Sequence, residues 1–341
     1  MSSFGAAYRA RYAAQGLVPS SGCPSPGSVY VWADVDERTK ATASALLDGF
    51  APHCGLVASD LGAANDPLFH SIPQAGKADA ALSAAAIGGS LGDDPSAIVP
   101  AHRLEVARLE AILGCQAATC TRISSVPSIV KTSAKTGLSS VEGGVDLAST
   151  AVEDLILAYV DGKSMNAFGD ASIDARTLLE LSQLHVLKSE LTTQTPYISR
   201  VQGSNLLTHL GATIDELATD TPNGKTRVPA DARFVALVGH DTNLSTLAGI
   251  LRLRWLMPGY QLDDTPPGGA LVFEIYTRAG ASPFVRTFYT AQSLDQMRSL
   301  SAKAPARVPV FVPGCTSLDC SLGDFDRAVT AAVDPAFVVP W

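Results

Sequence analysis

The sequence predicts an α/β fold, because two apolar strands each run into a polar tip and then a helical pattern, with a long helix-rich stretch between them. The clearer of the two is Phe234-Val-Ala-Leu-Val238, which ends in Gly239-His240-Asp241-Thr242-Asn243. Apolar and small residues in a row read as a central strand, and Leu244, Leu247, Ile250 and Leu251 fall on one face of a following helix. The second is Gly27-Ser-Val-Tyr-Val-Trp-Ala33, which ends in Asp34-Val-Asp36-Glu37-Arg38-Thr39 ahead of an alanine-rich helix pattern at 40–50. Both strand tips carry polar groups that can converge, and backbone N–H groups at a helix start favour an anion.

The other elements follow in order along the chain. Residues 5–16 predict a helix, followed by the strand at 28–33 and the helix at 40–50. Clusters of Pro, Gly and Ser at 18–27, 87–99 and 265–269 predict loops. Between 75 and 195 no segment reads as a strand, whereas Ala101–Leu113, Val145–Val160 and Leu178–Leu187 show helical spacing, the first with Leu104, Ala107 and Ile112 on one face. Strands return at 233–239, 270–276 and 283–289, with a helix at 292–300. The chain therefore divides into an α/β domain of residues 1–74 and 196–341, interrupted by a helical insertion domain at 75–195.

Composition narrows the function. With 341 residues, 46% of them hydrophobic and 17% charged, the chain can bury a large core. A formal charge of -8 argues against nucleic acid or an anionic membrane as a partner. No stretch reaches the roughly 18 apolar residues of a membrane span, and the first residues lack the pattern of a signal peptide. The six cysteines suggest local pairing by their order, Cys23 with Cys54, Cys115 with Cys120 and Cys315 with Cys320, although six thiols allow about 15 connectivities. The two close pairs are spaced C-x4-C with no histidine nearby, which speaks against zinc.

The polar tips have two readings each. An Asp or Asn before an apolar helix is commonly an N-cap, so Thr242 and Asn243 fit capping as well as substrate contact. Arg38 is either an exposed helix-start residue paired with Glu37 or Asp36, or a planar fork for phosphate.

Five segments together resemble the histidine acid phosphatases, in particular the bacterial periplasmic phytase and glucose-1-phosphatase branch of the histidine phosphatase superfamily. They are Ala33-Asp-Val-Asp-Glu-Arg-Thr39, Asn65-Asp-Pro-Leu-Phe69, Gly239-His-Asp-Thr-Asn243, Thr265-Pro-Pro-Gly-Gly-Ala-Leu-Val-Phe-Glu274 and the stretch from Cys315 to Cys320, in the family's order and with similar spacing. The resemblance spans roughly residues 5 to 330 and implies a doubly wound sheet domain with an inserted all-helical domain. It also implies the disulfides named above, and hence a periplasmic or secreted enzyme.

By that resemblance the chain is an acid phosphomonoester hydrolase, most like a phytase, acting through a phosphohistidine. Asp241 is the implied proton donor, His240 a phosphate contact, and Arg38 and Thr242 substrate-binding residues. Asp34 and Asp36 are expected to orient Arg38 or its turn, His102, His185 and His209 to be surface or core residues, and His53 and His70 to lie in loops beside Pro52 and Phe69. No metal or organic cofactor is implied, and the expected partner is a small phosphorylated substrate, phytate or a sugar phosphate, met by a monomer.

One hallmark is absent. The family carries Arg-His-Gly-x-Arg-x-Pro on its first strand, and none of the six histidines here stands between Arg and Gly. The motif would lie upstream of Met1, so the expectation is an N-terminally truncated chain without its first catalytic strand, inactive alone. The alternatives are a glucose-1-phosphatase-like sugar phosphatase and a noncatalytic phosphate-ester-binding relative.

Overall fold

The computed structural model describes residues 1–62, 65–115, 120–165, 173–278 and 280–340. Helix α1 (Ser2–Ala14) leads to strand β1 (Val29–Ala33) and helix α2 (Glu37–Phe50). The middle of the chain holds helices α3 (Ala80–Ser90), α4 (Ile98–Ala101) and α5 (Arg103–Ile112). They are followed by the hairpin of β2 (Ile129–Thr132) and β3 (Ser139–Glu142), then by α6 (Gly144–Val160) and α7 (Ala175–Leu191). The long helix α8 (Pro196–Thr219) returns the chain to β4 (Phe234–Val238) and α9 (Asp241–Leu251). The last part comprises β5 (Ala270–Arg278), β6 (Ala281–Ala291), α10 (Leu294–Arg298), β7 (Ala306–Val310), β8 (Cys320–Ser321) and α11 (Leu322–Ala332).

Strands β1 and β4 pair in parallel, with Val29 opposite Phe234 and Ala33 opposite Val238. Their tips therefore lie side by side, and Asp34 continues the ladder by donating its backbone N–H to the Val238 carbonyl at 2.9 Å. On its other side β1 takes a short bridge from Ser59, with Ala33 N–H donating to the Ser59 carbonyl and Ser59 N–H to that of Val31, both at 2.8 Å. A separate antiparallel sheet runs β5-β6-β7, with β8 added to β6.

Apolar faces close around these strands as the hydrophobic effect requires. Leu206, Leu207, Leu247, Leu251, Trp255 and Phe325 join α8, α9 and α11 to the antiparallel sheet, where the Trp255 ring stacks on Tyr289 at 4.3 Å. A second core, with Val106, Leu109, Val152, Leu155, Leu178 and Leu181 at its centre, unites α5, α6 and α7. Aromatic rings of Tyr12, Phe50 and Phe234 bind α1 and α2 to β4.

The expected helices at 5–16, 40–50, 101–113, 145–160 and 178–187, and the strands at 28–33, 233–239, 270–276 and 283–289, all have counterparts here. Cysteines pair as the resemblance implied, Cys23–Cys54, Cys115–Cys120 and Cys315–Cys320.

Four readings need correction. The stretch 75–195 does contain strands, β2 and β3, whose four residues each are too short to give a periodic signal. The expected loop at 87–99 is partly helical, since α3 starts where the Asp79 side chain accepts the Leu82 N–H and runs to Ser90, carrying two glycines within it, and α4 begins at Ile98. The polar tetrad after β4 is not all turn, because α9 begins at Asp241. Finally, β4 is not flanked on both sides: among the described residues it pairs with β1 alone, and only Phe234 of its five residues is buried.

The loop before α3 is fixed from three directions. Buried Asp66 accepts the Trp32 indole N–H of β1 at 2.7 Å and the Leu68 backbone N–H at 2.9 Å. Asn205 of α8 and Asn243 of α9 donate side-chain N–H groups to the carbonyls of Pro67 and Phe69 at 2.7 and 3.0 Å. Trp32→Phe removes a hydrogen bond to a carboxylate that water does not reach, and is expected to lower unfolding free energy by about 2–3 kcal/mol. Urea denaturation measures this, and a change near zero would show that Asp66 finds another donor.

Candidate active site

Two strand tips and one pinned loop build the site. From β1 come Asp34 and, two residues on, Asp36; from β4 comes His240, the N-cap of α9; from the loop comes His70. Close approach at the β4 tip requires glycine, because a Cβ on Gly239 would stand 2.6 Å from Asn243 Oδ1 and 2.7 Å from the Phe69 ring. Asn243 then accepts the His240 backbone N–H at 2.9 Å, so the first turn of α9 is capped by the Asn243 side chain and exposed Thr242 is left out.

His240 lies between two carboxylates. Its Nε2 is 2.9 Å from Asp36 Oδ2 and its Nδ1 is 3.3 Å from Asp34 Oδ2, with the side chain 8% exposed. Asp34 is fully buried; one oxygen accepts the Val35 N–H at 2.8 Å and the other meets His70 Nε2 at 2.7 Å. The turn itself is held by Thr39, whose hydroxyl donates to the carbonyls of Asp34 and Asp36. Of the expectation that Asp34 and Asp36 orient Arg38 or its turn, the turn is held by Asp34 through the Val35 N–H, whereas neither carboxylate pairs with Arg38, which stands exposed on the first turn of α2; both also meet histidines.

Asp241 faces a different histidine. His185 of α7 places Nε2 at 3.6 Å from Asp241 Oδ2, and its Nδ1 is 3.1 Å from the hydroxyl of Ser149 on α6. Burial pushes the Asp241 carboxyl up, but His185 outweighs it, together with the Thr242 backbone N–H and His240, so the pKa falls below its ordinary 3.8. Burial pulls the His185 imidazole down, and Asp241, with Glu153 and Asp264 beyond it, outweighs that, so its pKa rises above 6.5.

His70 and His185 are the site residues that sequence reasoning passed over, the first as a loop residue and the second as surface or core. No local pattern marks either, since their partners lie 36 positions away for His70 and on another helix for His185. The low expectation holds for His209, whose ring nitrogens meet the carbonyls of Lys225 and Val339. The turn expected at Pro266–Gly269 forms, closed by Gly269 N–H donating to the Pro266 carbonyl at 2.9 Å.

The His185–Asp241 pair predicts a pH signature. Protonated His185 contributes stability fully below its unfolded value of 6.5, and that contribution is lost as pH rises through its raised folded value. Ionised Asp241 contributes above 3.8, and loses its contribution as pH falls through the lowered folded value. The pair is therefore strongest between those limits. His185→Gln is expected to flatten the decline in melting temperature above about pH 6.5; a decline identical to that of the unaltered protein would show that the pair is not coupled to folding.

Comparison with known proteins follows the same lines. The profile of the histidine phosphatase superfamily (branch 2) matches residues 1–90 and 156–290. Phytase AppA of Escherichia coli is 33% identical over 96% of this chain and 80% of its own length, and a glucose-1-phosphatase of Salmonella typhimurium is 28% identical over 94% and 78%. Among solved structures, the Hafnia alvei phytase in complex with tartrate superposes with a TM-score of 0.89 at 32% identity, covering 99% of this chain and 87% of that one. The Citrobacter braakii phytase superposes with a TM-score of 0.89 at 29% identity and the same coverage. Family profile, relatives and fold agree: the chain belongs to the histidine phosphatase superfamily, branch 2, and its relatives are phosphatases.

Proposed function

We propose that this site binds the phosphoryl group of a phosphomonoester of the phytate type, in the manner of a histidine acid phosphatase. The observation that supports the reading is that the tip of β1, leading into the Arg38-bearing first turn of α2, lies beside the tip of β4, leading into His240 and Asp241, with His240 against Asp36. Arg38 has no hydrogen-bond or ion-pair partner among the described residues, which leaves its planar fork for two phosphate oxygens. His240 offers an Nε2–H, now directed at Asp36, whose half-exposed side chain can give way to a phosphate oxygen.

Asp241 is the acid in this reading. Its depressed pKa leaves it ionised in the free protein at neutral pH, and a phosphate dianion placed beside it by Arg38 and His240 raises that pKa through like-charge repulsion. The protonated carboxyl then delivers its proton to the departing alkoxide, and the carboxylate afterwards serves as base for water. His185 keeps a second proton within 3.6 Å.

Phosphoryl transfer also needs an in-line nucleophile, which in this reading is the histidine of an Arg-His-Gly-x-Arg-x-Pro strand. This sequence contains no such motif. We therefore expect the chain by itself to bind phosphate esters without turning them over, and that same observation favours a noncatalytic binding relative as the second reading. Similarity to a phytase solved with myo-inositol hexakis sulphate supports a ring polyphosphate as ligand, and the glucose-1-phosphatase relative supports a sugar phosphate. The helical segment 75–195 is assigned the choice between them. Three disulfides support a periplasmic or secreted location, and no helix is long and apolar enough to cross a membrane among the described residues.

Calorimetric titration with inositol hexakisphosphate tests the binding site. Arg38→Ala is expected to weaken binding by about 1.5–3 kcal/mol, and unchanged affinity would reject Arg38 as a phosphate ligand. Acid quenching after incubation with labelled phosphoester is expected to trap no phosphoprotein; stable labelling of a histidine would overturn the inactivity of the chain. When a strand with the Arg-His-Gly-x-Arg-x-Pro motif is supplied, Asp241→Asn is expected to slow alkyl phosphates by about 100-fold or more and nitrophenyl phosphate much less. Equal slowing of both would remove Asp241 from the acid role.

A further inference from the structure

Asp34, His70 and His240 present one carboxylate oxygen and two imidazole nitrogens that all lie within 4.8 Å of one another. We propose that these three side chains form a binding site for a zinc-type divalent cation, with Asp34 Oδ2, His70 Nε2 and His240 Nδ1 as ligands.

The hydrogen bonding of His240 carries the inference. Nε2 is 2.9 Å from Asp36 Oδ2, the arrangement of an N–H donating to a carboxylate, which leaves Nδ1 with its lone pair. That Nδ1 is buried, has no hydrogen-bond partner, and faces the oxygen of fully buried Asp34 at 3.3 Å. With the proton on Nε2, a lone pair faces a carboxylate oxygen in a place water does not reach, and a cation between the two would bond both; a second proton, on Nδ1, would instead make the contact an ion pair. His70 completes the set, and a metal ion replaces the proton that Asp34 and His70 now share at 2.7 Å.

Spacing and surroundings fit the chemistry. Zinc bonds of about 2.0–2.2 Å to N and O in tetrahedral array hold neighbouring ligand atoms roughly 3.3–3.5 Å apart. The Asp34–His240 separation already has that value at 3.3 Å, and the Asp34–His70 separation of 2.7 Å opens by movement of the His70 side chain, which is 40% exposed. Partners outside the ligand shell are in place as well. Asp36 orients His240, the Val35 N–H fixes the second oxygen of Asp34, and the His70 backbone is pinned by Asp66 and Asn65. Two nitrogens and one oxygen suit zinc, or cobalt as its spectroscopic substitute, better than calcium or magnesium. Three protein ligands leave a fourth position open.

The inference does not rest on the phosphate reading, because the ion takes the Nδ1 side of His240 and phosphate takes the Nε2 side. The test is equilibrium dialysis of the metal-free, untagged full chain against zinc, together with visible absorption after cobalt addition. One equivalent of zinc and the intense visible bands of four-coordinate cobalt are expected. His70→Ala, at a half-buried loop position outside the apolar cores, is expected to weaken zinc binding by about 100-fold or more, beyond the roughly 10- to 100-fold that loss of an outer partner costs. It is also expected to abolish the cobalt bands, whereas His102→Ala leaves both unchanged. A melting temperature that rises with zinc in the parent chain and not in His70→Ala gives an independent reading. Absence of stoichiometric binding at micromolar zinc, or binding indifferent to His70→Ala, would overturn the proposal.

Discussion

The parallel ladder between Val29–Ala33 and Phe234–Val238 is the constraint from which the site follows. Because Ala33 is opposite Val238, the next residue of one strand and the second of the other emerge together, and the Asp34 backbone bond to Val238 fixes their heights. Side chains alternate along a strand, so a shift of one position would send Asp34 or His240 to the opposite face and dissolve every contact described above. The helices that begin at Glu37 and Asp241 turn their N-termini toward the same tips, and so add partial positive charge to a place otherwise crowded with carboxylates.

That crowding gives the cleft its electrostatic character. Asp34 and Asp36 converge on two histidines from different elements, His70 and His240, and Asp241 faces a third, His185. Each imidazole is held against a carboxylate, so protonation of one group alters the field at the others. An anionic ligand at the proposed site would have Arg38 and the helix starts in its favour and the carboxylates against it.

Legibility in the sequence follows the range of the interactions. Strand β4 and helix α9 were readable because apolar runs and helical spacing are local signals, and His240 and Asp241 were readable because they sit where one signal gives way to the other. Hairpin β2–β3 was hidden because four residues do not establish a period, and α3 because its glycines imitate a loop. His70 and His185 were hidden for another reason: each acquires its role only from a neighbour brought in by tertiary folding.

His240 and Asp36 touch across 204 positions of chain. Loops of such length close slowly, and parallel pairing gains nothing until both strands are present. Hydrogen bonds from Trp32, Asn205 and Asn243 to the 66–69 loop are likewise long-range, so no fragment of the chain can assemble the cleft early. The cleft is thus a late product of folding, and occupancy of it by any ligand is a readout of native topology that helix content measured by spectroscopy would not supply.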